Sequence, residues 1–230
     1  MIFANKKYDG YYEGKPNLSY MICGARRSGT TYLGKLLWET GVMGKPFEYQ
    51  LPECRMKITS RMPKGISYWD FLKQARTTPN GVFGFKEVAP GSYLLKNLVP
   101  QKVIYMTRKD LAAQTVSLAL ALNTGAFFSH QSEKRPAEYN FQGLMELSIH
   151  LEQVSSDWED IFEEEGITPL RLVYEDLNQD TPEIVADFLG IELKKKKVTT
   201  PKVEKQASEL NIEWSNRFRK ELVEHGGSMA

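Results

Sequence analysis

Two periods of apolar residues alternate along the chain. Residues 19–24, 81–88, 102–108 and 169–174 are short, apolar or β-branched, and bounded by polar residues, glycine or proline. That pattern predicts strands. The stretches between them place apolar residues at helical spacing. Leu33, Leu36 and Leu37 share a face over 30–40, and Gly41 stops that helix. Asp110 is placed to cap a helix running through Leu122, with Gly125 just past its end. Leu144, Leu147, Leu151, Val154, Trp158 and Phe162 line the core face of a long helix over 142–165. Thr181-Pro182-Glu183 opens another, which ends at Gly190 and buries Phe188 and Leu189. A last helix is expected over 207–224. Apolar strands separated by helices read as a mostly parallel sheet, and so as a doubly wound α/β fold. Two segments break the regularity. Residues 45–67 carry three prolines and several basic residues, and 126–140 is polar with Pro136. Both read as substrate-side loops.

Size and charge narrow the picture. A chain of 230 residues fits one domain over 1–230. A formal net charge of +1 gives no global attraction to nucleic acid or an anionic membrane, so any anion site must be local. Cys23 and Cys54 are too few for a disulfide framework, and neither lies in a Cys/His cluster. His130, His150 and His225 are scattered, so no metal site is expected. Cys23 reads as a buried thiol, the Trp158/Phe162 stripe as core, and the four lysines at 194–197 as a solvated loop. The N-terminus lacks an apolar signal region, and no run approaches the roughly 18 apolar residues of a membrane span. A cytoplasmic location is expected.

The strongest motif is Gly24-Ala25-Arg26-Arg27-Ser28-Gly29-Thr30-Thr31. It follows an apolar strand and opens an amphipathic helix. A turn of this kind gathers backbone N–H groups at the positive end of the helix dipole. Glycine lets the backbone approach an anion closely. Arg27, Ser28, Thr30 and Thr31 add charged and hydroxyl donors. The spacing is that of a GxxxxGK[ST] phosphate loop, except that Thr30 replaces the lysine. A nucleotide-triphosphatase or kinase needs that lysine, and it needs an acid at the end of a strand to hold Mg²⁺. Here the third strand ends in Thr107-Arg108. The loop therefore looks built for an anion without Mg²⁺.

Arg108-Lys109-Asp110 stands where that strand meets its helix, the end at which α/β folds bind ligands. Gln114 and Ser117 follow one and two helical turns after Asp110. Arg108 and Ser117 are placed to grip a second phosphate. Taken alone, they also fit a solvated charge and a small core residue.

Together the two segments resemble a known family. Arg27-Ser28-Gly29-Thr30-Thr31 resembles the 5′-phosphosulfate loop of sulfotransferases that use 3′-phosphoadenosine-5′-phosphosulfate (PAPS). The stretch from Arg108 to Leu118 resembles their 3′-phosphate segment, in the form found in bacterial carbohydrate sulfotransferases of the trehalose 2-sulfotransferase type. Gly44-Lys45-Pro46-Phe47-Glu48-Tyr49, Gly81-Val82-Phe83-Gly84-Phe85-Lys86, Tyr174-Glu175-Asp176-Leu177 and residues 206–214 are similar to the same group. The resemblance implies a P-loop-type parallel sheet flanked by helices. It implies PAPS as donor without a metal, a carbohydrate or other hydroxyl-bearing acceptor, and a homodimer. By matching position, Arg26, Arg27, Ser28, Gly29, Thr30 and Thr31 would hold the 5′-phosphosulfate, and Arg108 and Ser117 the 3′-phosphate. Glu48 falls on the family's general base. Arg27, and Lys86 at its strand end, are candidate cations for the leaving phosphate. Arg26 stands where proline is frequent, and residues 125–128 replace a segment that commonly carries tryptophan. In the family, the loop that includes residues 125–128 and the segment 45–67 face the acceptor, which leaves the acceptor open. His130, in one of them, is a further candidate for touching it. A P-loop kinase or nucleotide-triphosphatase, or a non-catalytic nucleotide-binding module, is the alternative.

Overall fold

A computed structural model describes residues 4–91, 98, 100–127, 135–193 and 209–226. Four strands, β1 (Leu18–Cys23), β2 (Val82–Glu87), β3 (Lys102–Thr107) and β4 (Leu170–Val173), form a parallel sheet in the order β2-β1-β3-β4. The register sets Cys23 beside Glu87 and Tyr105, so β1 and β2 end level and β3 runs two residues further, to Thr107.

Alternation along each strand sends side chains to two cores. Met21, Cys23, Phe83, Phe85, Val103 and Tyr105 pack with Leu151, Trp158 and Phe162 of α5 (Phe141–Glu164). Tyr20, Ile22, Ile104 and Met106 meet Leu33 and Leu37 of α1 (Thr30–Glu39), and Val185 and Leu189 of α6 (Thr181–Leu189). Because both faces are covered, β1 to β3 are mostly apolar on both faces rather than alternating, with Lys86 and Glu87 the buried charges at the end of β2. A third cluster joins Val116 and Leu120 of α4 (Leu111–Thr124) to Leu144 of α5 and to Trp214, Phe218 and Leu222 of α7 (Glu209–Glu224). That cluster anchors α4 on the side away from the sheet.

The ends of α4 follow the expected signals. Asp110 accepts from the backbone N–H of Ala113 at 2.9 Å, and Gly125 closes the helix at φ 71°. Arg219 of α7 pairs with the Asp110 carboxylate at 2.6 Å. Residues 207 and 208, His130 and the lysines at 194–197 lie outside the described residues.

The segment expected to be irregular contains α2 (Pro52–Thr59), and it is followed by α3 (Tyr68–Arg76). Pro52 stands at the first helical position, where its missing N–H costs nothing and its fixed φ helps. Proline here starts a helix inside a segment that reads as a loop in the sequence. Ser67 caps α3 by accepting from the Asp70 N–H.

Residues 44–49 run along the outer edge of β2. The Lys86 N–H donates to the Phe47 carbonyl at 3.0 Å. A side chain at Gly44 (φ 71°) would meet the Gly84 nitrogen at 2.6 Å, so only glycine permits this approach. Phe47 and Tyr49 turn into the core, and Glu48 turns the other way. At the far end of the segment, Asp9 pairs with Arg61 at 2.6 Å and with fully buried Arg76 at 2.7 Å.

Candidate active site

The turn between β1 and α1 has an unusual backbone. Gly24, Arg27 and Gly29 have φ of 149°, 65° and 91°, and Arg27 is the non-glycine residue with positive φ among the described residues. Alternation of right- and left-handed residues turns successive N–H groups toward a common anion. A Cβ at Gly24 would lie 2.2 Å from the Met106 carbonyl oxygen, and one at Gly29 would lie 2.4 Å from the Tyr174 ring. The Ser28 hydroxyl is buried and has no hydrogen-bond partner among the described residues. A buried, unpaired hydroxyl costs free energy unless something fills its hydrogen bond. Its place between two glycines, at the N-terminus of α1, fits a ligand phosphate or sulfate.

Two arginines extend the site toward α4. Arg27 Nε donates to Ser117 Oγ at 2.8 Å, and its Nη1 donates to the Phe127 carbonyl at 3.2 Å. Arg108 Nη1 donates to the Arg27 carbonyl at 3.4 Å, and the Arg108 guanidinium lies over the Tyr174 ring at 5.0 Å. Burial, and then the neighbouring Arg108 charge, pull the Arg27 pKa below the usual arginine range. Glu175 lies 3.6 Å from Arg108 Nε and accepts from the N–H groups of Lys109 and Asp110 at the start of α4. A carboxylate at a helix N-terminus is favourably placed, and here it also orients Arg108. Gln114 Nε2 donates to the Arg26 carbonyl at 2.8 Å, tying α4 to the loop, while the Arg26 side chain is exposed.

A second cluster meets the loop from β2. The Lys86 ammonium lies 3.0 Å from Glu48 Oε2, 3.0 Å from Thr31 Oγ1 and 3.5 Å from Thr30 Oγ1. Their side chains are 4% and 12% exposed for Lys86 and Glu48. The lysine missing from the phosphate loop at Thr30 is thus matched by an ammonium from a neighbouring strand. Glu87, the next residue, is buried and accepts from the N–H groups of Val88 and Ala89. Burial pushes its pKa up, and the Glu48 charge adds to the rise, against those two hydrogen bonds.

The residues singled out by sequence therefore form two linked groups. Arg27, Ser117 and Arg108 surround one side of the Gly24–Thr31 turn, and Lys86 with Glu48 reaches the other through Thr30 and Thr31. Glu87 was missed, although a second charge inside an apolar strand is itself a signal. The packing of Tyr174 on Gly29 and the support of Arg108 by Glu175 depend on a contact between distant segments and left no local trace. Among the described residues, no group of His, Cys, Asp and Glu is arranged to hold a metal ion, and no helix is long and apolar enough to cross a membrane.

The chain matches the family model for Stf0 sulphotransferase over residues 19–99 and 92–221. It is 25% identical over 257 residues to the trehalose 2-sulfotransferase of Mycobacterium tuberculosis (strain ATCC 35801 / TMC 107 / Erdman), covering 90% of this chain and 96% of the relative. It is 24% identical over 258 residues to the trehalose 2-sulfotransferase of Mycolicibacterium smegmatis (strain ATCC 700084 / mc(2)155), covering 90% and 97%. Among solved structures, the sulfotransferase domain from the Synechococcus PCC 7002 olefin synthase is loosely similar, with a TM-score of 0.47 at 14% identity, over 91% of this chain and 97% of that one. Retinol dehydratase in a complex with retinol and PAP gives a TM-score of 0.42 at 17% identity, over 80% and 63%. The match to the family model spans most of the chain, including both clusters around the phosphate loop, and the chain belongs to the Stf0 sulphotransferase family, a family of sulfuryl-transferring enzymes.

Proposed function

We propose that the enzyme moves a sulfuryl group from PAPS to a hydroxyl of a carbohydrate or glycolipid acceptor, with Glu48 as general base. The observation that carries this reading is the Lys86 ammonium. It joins the carboxylate of the acceptor-side segment to the hydroxyls that open α1. Acid–base group and anion site are thereby held next to one another.

The donor set suits PAPS. The Ser28, Thr30 and Thr31 hydroxyls, with the glycine-lined turn, would hold the 5′-phosphosulfate, with Arg26 at its outer side. Arg108 and Ser117 would bind the 3′-phosphate. Arg27, which already touches Ser117, spans both ends. PAPS supplies an activated sulfuryl group whose leaving group is a phosphate. Lys86, Arg27 and the N-terminus of α1 stabilise negative charge at that phosphate. A sulfuryl group carries less charge than a phosphoryl group, so side-chain cations serve in place of a metal ion. Glu48 holds the acceptor hydroxyl and takes its proton.

The curated relatives are named for trehalose, which supports a sugar acceptor. The same reading has residues 1–230 acting as one sulfotransferase domain in a cytoplasmic homodimer. Radiolabelled PAPS with a panel of disaccharides, trehalose included, and glycolipids tests it. A labelled sugar ester is expected. Phosphoryl transfer from ATP–Mg²⁺ with no sulfate transfer would support the kinase alternative instead.

A further inference from the structure

We propose that Lys86 couples the two halves of the site: one ammonium serves both the Glu48 carboxylate and the donor anion, so each weakens the other's hold on it. The inference rests on the donor site proposed above.

A lysine ammonium has three N–H donors. Those of Lys86 meet Glu48 Oε2 at 3.0 Å, Thr31 Oγ1 at 3.0 Å and Thr30 Oγ1 at 3.5 Å. The two threonines form the first turn of α1, where backbone N–H groups and the helix dipole draw an anion. A phosphate placed there approaches the ammonium from the threonine side. Glu48 holds the same ammonium from the segment along β2. The side chain is 4% exposed, so water screens this competition little. Glu87, buried close by, adds a further carboxylate and offers no second cation.

The consequence for the reaction is an order of events. Without donor, the ammonium is shared between Glu48 and the two threonines, and the Glu48 Oε2 oxygen is held in an ion pair. With an anion on the loop, the ammonium shifts its hydrogen bonds toward it and releases the carboxylate to accept from an acceptor hydroxyl. The base is made ready by the arrival of the group it needs. Linkage makes the effect reciprocal, so it can be read in the binding of donor product alone.

The test is a calorimetric double-mutant cycle with adenosine 3′,5′-bisphosphate on the full chain: wild type, Glu48→Gln, Lys86→Gln and the double variant. Glu48→Gln is expected to tighten the bisphosphate by at least about fivefold, the lower end of ordinary coupling between sites. In the Lys86→Gln background the same change is expected to have less than about a twofold effect. Equal tightening in both backgrounds would mean plain charge repulsion and overturn the sharing of Lys86. No tightening in either would overturn it as well. Glu48→Asp keeps the charge and withdraws it by one methylene, so a smaller tightening is expected there; it replaces Glu48→Gln if that variant fails to fold. Wild-type titration separates this from the donor reading. Bisphosphate binding without coupling sinks only the present inference, and absence of wild-type binding sinks both.

Discussion

Arg27 Nε lies 2.8 Å from Ser117 Oγ and joins the phosphate loop to α4 across 90 residues of sequence. Arg108 joins the same corner by donating to the Arg27 carbonyl, and it is supported by Glu175 and Tyr174. A ligand with two separated phosphates suits such a site better than one with a single triphosphate chain. Arg108→Ala is expected to weaken adenosine 3′,5′-bisphosphate by about 1.5–3 kcal/mol, the worth of a charged hydrogen bond. Adenosine 5′-monophosphate, which lacks the 3′-phosphate, is expected to lose much less. Titration calorimetry with both nucleotides checks this, and equal losses would remove Arg108 from the 3′-phosphate.

Glu48 is held at the end of β2 by the backbone bond between Lys86 and Phe47 and by the ion pair with Lys86. Glu48→Gln keeps the size and one acceptor oxygen but removes the basicity. Single-turnover sulfate transfer is expected to slow by about 10²–10⁴. Retention of full turnover in that variant would place the base elsewhere.

Reading local structure from the sequence succeeded where one segment carries its own signal. The Gly24–Thr31 turn shows its geometry locally: strand, glycines, basic residues and helix follow within a few residues, and the structure bears out that order. All four strands and α1, α4, α5 and α6 lie within two residues of their expected limits. What escaped notice depends on contacts between segments. Arg27 was expected at the 5′ end of the donor, yet its side chain reaches Ser117, because α4 packs across the turn. Glu175 was visible as part of a motif, but its support of Arg108 requires β3 and β4 to end side by side. The α3 helix went unpredicted because its buried positions include Arg76, whose charge hides the apolar pattern until Asp9 is seen to pair with it.

Glu87 gives a dependence on pH. Burial raises its folded-state pKa above that of the unfolded chain. The neutral form is then favoured in the folded state. Its stabilising contribution is complete below the unfolded pKa and is lost as pH rises through the folded one. Glu87→Gln keeps an acceptor for the Val88 and Ala89 N–H groups and carries no charge. It is expected to raise the thermal midpoint at pH 7.5, with the gain shrinking as the pH falls toward the ordinary glutamate range. Melting curves across that interval check the sign, and a gain that grew at acid pH would contradict it.

The most direct test of the donor assignment is thermal unfolding with adenosine 3′,5′-bisphosphate, set against ADP and ATP–Mg²⁺ at equal concentrations. A ligand at 100 times its dissociation constant stabilises the folded state by about 2.7 kcal/mol, a shift of several degrees for a chain of this size. Selective stabilisation by the bisphosphate is the predicted result. A shift with ATP–Mg²⁺ and none with the bisphosphate would contradict it and make the loop that of a kinase.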